Sequence, residues 1–264
     1  MRVQADELAL NYEIYGEAGE WLVMCHGLGA GLQSMREPAH YFADGYRVLI
    51  WDNRGLGGSD DAAEGGDYSI ATHARDLEGL LRALGIERPI VYGVSWGGVV
   101  ALRHAIDFPG RSRALVVDST SAEMNAHAAE NWIARGRALF EGGVEAMAAA
   151  PAGLTEGGGA APRPPRSEAE PLRIDARGFL ETCEALATLH TKPMTEDLRA
   201  LDVPTLAIVG EDDHVAGVGG TVKLSRAIPG CRLVIVPNAG HGVCMFDPER
   251  LRLELESLIA GLGG

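Results

Sequence analysis

Apolar positions along the chain fall into two kinds of pattern. Short unbroken runs recur: "EWLVMC" ends at Cys25, "YRVLIW" at Trp51, "PIVYGV" at Val94, "RALVVD" at Asp118, "PTLAIVG" at Gly210 and "RLVIV" at Val236. Each is rich in β-branched residues and bounded by turn formers, which predicts strands buried on both faces, as in a parallel sheet. Between them lie segments with helical spacing. In "SIATHARDLEGLLRALG", Ile70, Ala74, Leu77, Leu81 and Leu84 share one face, and Gly85 follows as a stop signal. The last helix is predicted to start with Asp247 as its cap and Pro248 in its first turn, with Leu251, Leu255 and Leu258 as its apolar stripe. Near the N-terminus "LALNYEIYG" alternates and predicts an antiparallel edge strand. Strands alternating with helices predict an α/β fold around a mostly parallel sheet.

The rhythm breaks between about Ser119 and Thr195. Two helical stretches there flank "APAGLTEGGGAAPRPPRSEAEP", a segment dense in Gly and Pro. Long loops without secondary structure inside a compact domain are usually functional or disordered. The organisation expected is therefore a core made of residues 1–120 and 195–264, with residues 121–194 inserted as a helical cap over one end of the sheet.

Composition narrows the partners. The chain has 264 residues, 46% hydrophobic and 23% charged, a globular balance with enough length for a sizeable core. Its net charge of −14 disfavours phosphate backbones, so nucleic acid is not an expected partner. The start "MRVQADELAL" lacks the apolar stretch of a signal peptide, and no apolar run approaches the length of a membrane span. Cys25, Cys183, Cys231 and Cys244 are far apart and form no C-x-x-C pair. They read as reduced thiols of a cytoplasmic protein, with no metal site and no cofactor expected. Oligomeric state is open, a homodimer included.

Candidate chemistry centres on Gly93-Val94-Ser95-Trp96-Gly97. Ser95 follows a predicted strand and opens a predicted helix, the setting in which G-x-S-x-G marks a nucleophile rather than a glycine-rich turn. A serine hydroxyl needs a base. His241, in "VPNAGHGVCMFDPE", lies in a loop after the last predicted strand, on the same sheet edge as Ser95. The base needs an acid to fix its tautomer, and Asp213, Asp212 and Asp118 all end or follow predicted strands. Two backbone N–H groups must hold the developing oxyanion. Trp96 and Leu28, the latter in "HGLGAG", are placed to supply them. His26 in that loop is expected mainly to shape it. Together with Trp132, Phe140, His190 and Val215 it completes the set of candidate pocket residues.

"HGLG" at 26–29, "DNRGLGGSD" at 52–60, "GVSWGG" at 93–98 and "GHGVCMFDPE" at 240–249 occur in the order found in α/β-hydrolase-fold proteins, which the chain resembles over nearly its whole length. The resemblance implies an eight-stranded, mostly parallel sheet flanked by helices. It also implies the order nucleophile, acid, histidine, met by Ser95, Asp213 and His241. The family's acid commonly lies three residues after a strand-ending glycine, here Gly210, which points to Asp213 rather than Asp212. A proline frequent four residues after that acid is replaced here by Gly217. The core is similar to that of 3-oxoadipate enol-lactonases, small carboxylesterases and cofactor-free haloperoxidase-like enzymes. That likeness implies a serine hydrolase acting on a small carboxylic ester or lactone. "GVSWGG" is also similar to proline iminopeptidases, and carbon–carbon bond hydrolases share the core. A hydrolase-fold binding protein with little turnover is the remaining alternative. An iminopeptidase needs carboxylates for the substrate's amine, for which Glu130, Glu141 and Glu145 are the candidates in the insertion.

Overall fold

The computed structural model describes residues 1–155 and 171–261. Eight strands form one sheet: β1 (Arg2–Ala5), β2 (Leu8–Tyr15), β3 (Glu20–Cys25), β4 (Tyr46–Trp51), β5 (Ile90–Val94), β6 (Ala114–Asp118), β7 (Thr205–Gly210) and β8 (Arg232–Val236), in the order β1-β2-β4-β3-β5-β6-β7-β8. The pairs β1–β2 and β2–β4 are antiparallel, and all pairs from β4 to β8 are parallel. The six unbroken apolar runs are strands β3 to β8. "LALNYEIYG" is β2, and it is not at the edge as expected. The four residues "RVQA" pair outside it as β1. So short a polar stretch carries no readable alternation of its own and becomes a strand only by folding back through Asp6, at φ 54.

Continuous apolar runs serve two cores because successive strand side chains point to opposite faces. Val23, Leu49, Val91, Leu115 and Ala207 face one core. Their immediate neighbours Leu22, Val48, Ile90, Val116 and Ile208 face the other. The first core is covered by α2 (Ile70–Ala83), α3 (Trp96–Asp107) and α6 (Val218–Ala227), through residues such as Leu77, Val100 and Leu224. The second is covered by α1 (Arg36–Phe42), α7 (Val243–Phe246) and α8 (Pro248–Ala260), through Phe42, Val243, Leu251 and Leu255. β8 departs from the two-sided expectation, since Leu233 and Ile235 are substantially exposed where the sheet ends.

The helix signals match the local chemistry. The Ser69 hydroxyl caps α2 by accepting from the Thr72 N–H, and Asp247 caps α8 by accepting from the Arg250 N–H at 2.9 Å. Between β6 and β7 the chain forms α4 (Ala126–Ala149), broken at Gly143 where φ is 76, and α5 (Ala176–Ala187). These two pack on each other around Leu139, Phe179 and Cys183. Most of the Gly- and Pro-dense stretch, residues 156–170, lies outside the described residues. Among the described residues, no helix is long and apolar enough to cross a membrane.

A tight crossing lies where α3 leaves β5. A Cβ on Gly97 would stand 2.1 Å from the Cys25 carbonyl oxygen and 2.7 Å from that of His26. Both are backbone atoms that cannot swing aside. Gly85 poses a different problem: it has open space around it but sits at φ 64, where an L side chain costs about 1–2 kcal/mol. Gly97→Ala should therefore destabilise the protein by about 3 kcal/mol, clearly more than Gly85→Ala. Urea denaturation of the two variants in parallel measures the difference.

Candidate active site

Ser95 joins β5 to α3 at φ 56 and ψ −119, a conformation that L residues rarely hold. Such strain costs on the order of 1–3 kcal/mol and persists only where the surroundings enforce it. Here the Ser95 N–H donates to the Asp118 carbonyl at 2.9 Å, and the Thr120 hydroxyl donates to the Ser95 carbonyl at 3.1 Å. The serine is thus held at the N-terminus of α3, the positive end of the helix dipole.

Beside it runs the "HGLG" loop. A Cβ on Gly27 would lie 3.7 Å from the Ser95 Cβ, so the loop passes in contact range of the Ser95 turn. The N–H of Trp96, first residue of α3, has no partner within the helix by geometry. His26 is fully buried. Its Nδ1 lies 2.7 Å from the Gly27 carbonyl, and its Nε2 accepts from the Asn53 N–H at 3.2 Å. Nδ1 therefore carries the proton, and burial lowers the imidazole's pKa. His26 braces two loops as a neutral ring and does not line the cavity at Ser95. The "DNRGLGGSD" segment is likewise a brace. Asp52 accepts from the Leu32 and Gly58 N–H groups, and Arg54 is paired in the interior with Asp76 at 2.6 Å through two nitrogens.

Asp213 and His241 meet at the end of β7. The His241 Nδ1 is 3.0 Å from both carboxylate oxygens of Asp213. One oxygen also accepts from the N–H groups of Val215 and Ala216, at 2.9 and 3.0 Å. Burial pushes the Asp213 carboxyl upward, but the His241 hydrogen bond and charge with these two N–H groups outweigh it and hold the pKa below the ordinary value. Asp212 is exposed, its N–H bonded to the Ala239 carbonyl at 2.9 Å. Gly217, where the family favours proline, sits at φ 76, which a proline ring forbids, so this turn takes a different path into α6.

Asp118, the third acid candidate, does not meet His241 through any of its hydrogen bonds. It is fully buried, accepting from the Tyr92 hydroxyl at 2.6 Å and from the N–H groups of Val243 and Cys244 at 2.9 and 3.1 Å. Burial raises its pKa, against these hydrogen bonds. Ser119 adds a bond from the Gly242 N–H to its hydroxyl at 2.9 Å. The histidine loop is therefore stitched to the end of β6. Reading the sequence gave Asp118 no such role, because backbone donors leave no side-chain motif.

Ser95 opens on a cavity of about 380 Å3. Trp96, Val99, Met124, Trp132, Leu186 and Val215 supply its apolar wall. Lys223 and Glu123, paired at 2.6 Å, stand in the same lining, and no sequence signal marked either of them. Of the candidate pocket residues, Trp132 and Val215 line this space. Phe140 points outward from α4 and is 55% exposed. His190 is exposed beside the Met124 carbonyl. Helical spacing could not separate these positions, because a wall residue and a solvent-facing one one turn apart look alike in sequence. Glu130, Glu141 and Glu145 are all exposed and absent from the lining. Among the described residues, no group of three or more His, Cys, Asp and Glu side chains could hold a metal ion.

Comparison with known proteins agrees with this architecture. A family model for the alpha/beta hydrolase fold matches residues 20–157. "Putative carbamate hydrolase RutD" of Shigella flexneri is 30% identical over 260 residues, covering 97% of each chain. The solved structure of the enol-lactonase from Burkholderia xenovorans superposes with a TM-score of 0.81 at 21% identity, covering 98% of this chain and 100% of the other. A thermophilic esterase from Thermogutta terrifontis gives 0.77 at 21% identity, over 100% and 99%. The chain belongs to the alpha/beta hydrolase fold family.

Proposed function

We propose that the protein is a serine hydrolase that cleaves a small carboxylic ester or lactone through an acyl-enzyme on Ser95, with residues 121–194 acting as a cap over the site. The observation that carries the reading is the His241 Nδ1 held 3.0 Å from both oxygens of a buried Asp213. That contact makes Nδ1 the protonated nitrogen and leaves the Nε2 lone pair as the base.

In the first step the Ser95 hydroxyl attacks the carbonyl carbon while His241 Nε2 takes its proton. The carbonyl electrons move onto oxygen, and the N–H groups of Leu28 and Trp96 stabilise that oxyanion. Asp213, kept ionised, stabilises the imidazolium. The tetrahedral adduct collapses, the leaving alkoxide takes the proton from His241, and the acyl group remains on Ser95. Water then repeats the sequence: His241 removes its proton, the hydroxide adds to the acyl carbonyl, and Ser95 leaves with the proton returned.

The cavity supports a small, largely uncharged acyl or leaving group. Its walls are mostly apolar, and its one charged pair is self-neutralised. An iminopeptidase reading loses support because its three candidate carboxylates face solvent. A carbamate substrate is the second reading, favoured by the full-length RutD relative. The same steps apply, through a carbamoyl-enzyme.

Ser95→Ala should abolish turnover while the melting temperature stays within a few degrees of wild type; near-wild-type turnover in this variant refutes the mechanism. Asp213→Asn should lower kcat by roughly 10^3–10^4-fold on a nitrophenyl ester. Asp118→Ala should show itself mainly as lost stability, by about 3–5 kcal/mol in urea denaturation, because it leaves buried donors unpaired. An assay panel of nitrophenyl acetate, a five-membered lactone and a primary carbamate, the last followed by ammonia release, decides between the two readings. The highest kcat/KM is expected on the ester or lactone.

A further inference from the structure

A second, smaller cavity shares Trp96 with the first. Leu28, Asn53, His73, Trp96, Phe179 and Thr182 wall it, so the candidate oxyanion loop, the segment after β4, α2, α3 and α5 all meet there. It offers about 10 Å3 in which a water-sized guest can be centred. The polar atoms of its walls are unusual. Both Asn53 amide atoms, His73 Nδ1 and Trp96 Nε1 are buried and find no hydrogen-bond partner among the described residues. Each of the three residues is 1% exposed. One unpaired buried group is tolerable; four on three residues that line one small space define a site by the chemistry they lack.

The donor and acceptor inventory identifies the guest. Trp96 Nε1 can only donate, and Asn53 offers one donor group and one acceptor. His73 is fixed by its neighbours. The Thr182 hydroxyl donates to the Gly178 carbonyl at 2.7 Å, so its oxygen can only accept from His73 Nε2, 3.5 Å away. That leaves His73 Nδ1 with a bare lone pair. Burial, then the nearby Arg54 charge, lowers this imidazole to about 3, so it stays neutral. The guest must therefore donate and accept at once. An ammonium ion cannot accept, a small anion cannot donate, and a primary amide or carbamate group has too many atoms for the volume. Water meets both requirements and fits.

We propose that this cavity binds one water molecule held by Asn53, His73 and Trp96, and that this water positions Trp96 beside Ser95. The indole of Trp96 is otherwise fixed only by packing, including an edge-on contact with the His73 ring at 5.0 Å between centroids. Its backbone N–H is one of the two donors assigned to the oxyanion above, and the catalytic half of the inference rests on that reading. Hydrogen bonding of the indole through water to α2 and to the segment after β4 ties the first turn of α3 to two elements on which no reacting group sits. His73 and Asn53 are positioning residues in this scheme and do not touch substrate.

The test has two arms. A crystal structure of the wild-type protein, at a resolution that shows ordered water, should contain one density peak within hydrogen-bond distance of Trp96 Nε1, His73 Nδ1 and the Asn53 amide. No peak there, or an Asn53 side chain turned to bond His73 or Trp96 directly, overturns the site. This arm needs no turnover, so failure of the ester-hydrolase reading leaves it intact. In the second arm, His73→Leu removes the acceptor and should lower kcat on a nitrophenyl ester about 10-fold, with KM within about 2-fold of wild type. His73→Gln, which restores an acceptor, should recover most of that loss at a similar melting temperature. Equal losses in both variants, or a change in KM alone, overturn the positioning role.

Discussion

One residue at the end of β6 holds the candidate site together. The Asp118 carbonyl accepts from the Ser95 N–H, while its carboxylate accepts from the N–H groups of Val243 and Cys244, just beyond His241. The nucleophile turn and the histidine loop are thus fastened to the same buried group, although 146 positions separate Ser95 from His241 (241 − 95). Burying a carboxylate is costly unless every lone pair is used. Here the Tyr92 hydroxyl and the two N–H groups offset part of that cost, although burial still raises the carboxyl's pKa. A charge held this way resists movement, since releasing any one bond leaves it unpaired in a medium of low dielectric.

The fold was legible because unbroken apolar runs bounded by turn formers cannot hide. β3 to β8 announce themselves as unbroken apolar runs, and the Ser69 and Asp247 caps mark where helices begin. β1 escaped because pairing with β2, not its own composition, makes it a strand. β2 was then misplaced by one position in the sheet for the same reason.

The site was legible to a different depth. Ser95, Asp213 and His241 lie in loops that follow strands, and parallel strands carry all such loops to one edge. That all three lie at one edge is a property of topology, and the contact between Asp213 and His241 follows from it. Choosing Asp213 over its neighbour was possible only through the glycine that ends β7. A Cβ there would meet the Ala239 carbonyl at 2.2 Å, which fixes how closely the two loops cross. Side chains on α4 were not legible. Trp132 faces the cavity and Phe140 faces solvent, and that difference depends on how α4 packs against α5. His26 shapes its loop as expected, through main-chain partners, whereas the bracing role of Asp118 was invisible because two of its partners are main-chain N–H groups, which any sequence provides.

The connection between β6 and β7 contributes Trp132, Leu154 and Leu186 to the cavity wall, but Ser95, Asp213, His241 and the "HGLG" loop all come from other stretches of the chain. The proposed reacting groups and this part of the wall thereby come from separate passages of the polypeptide, while Trp96, Val99 and Val215 of the core complete the wall. On the proposed mechanism, exchanging the connection between β6 and β7 would reshape part of the cavity wall while Ser95, Asp213 and His241 stayed on the strand ends that carry them, so a change of substrate could arise by recombination at two neighbouring strand ends.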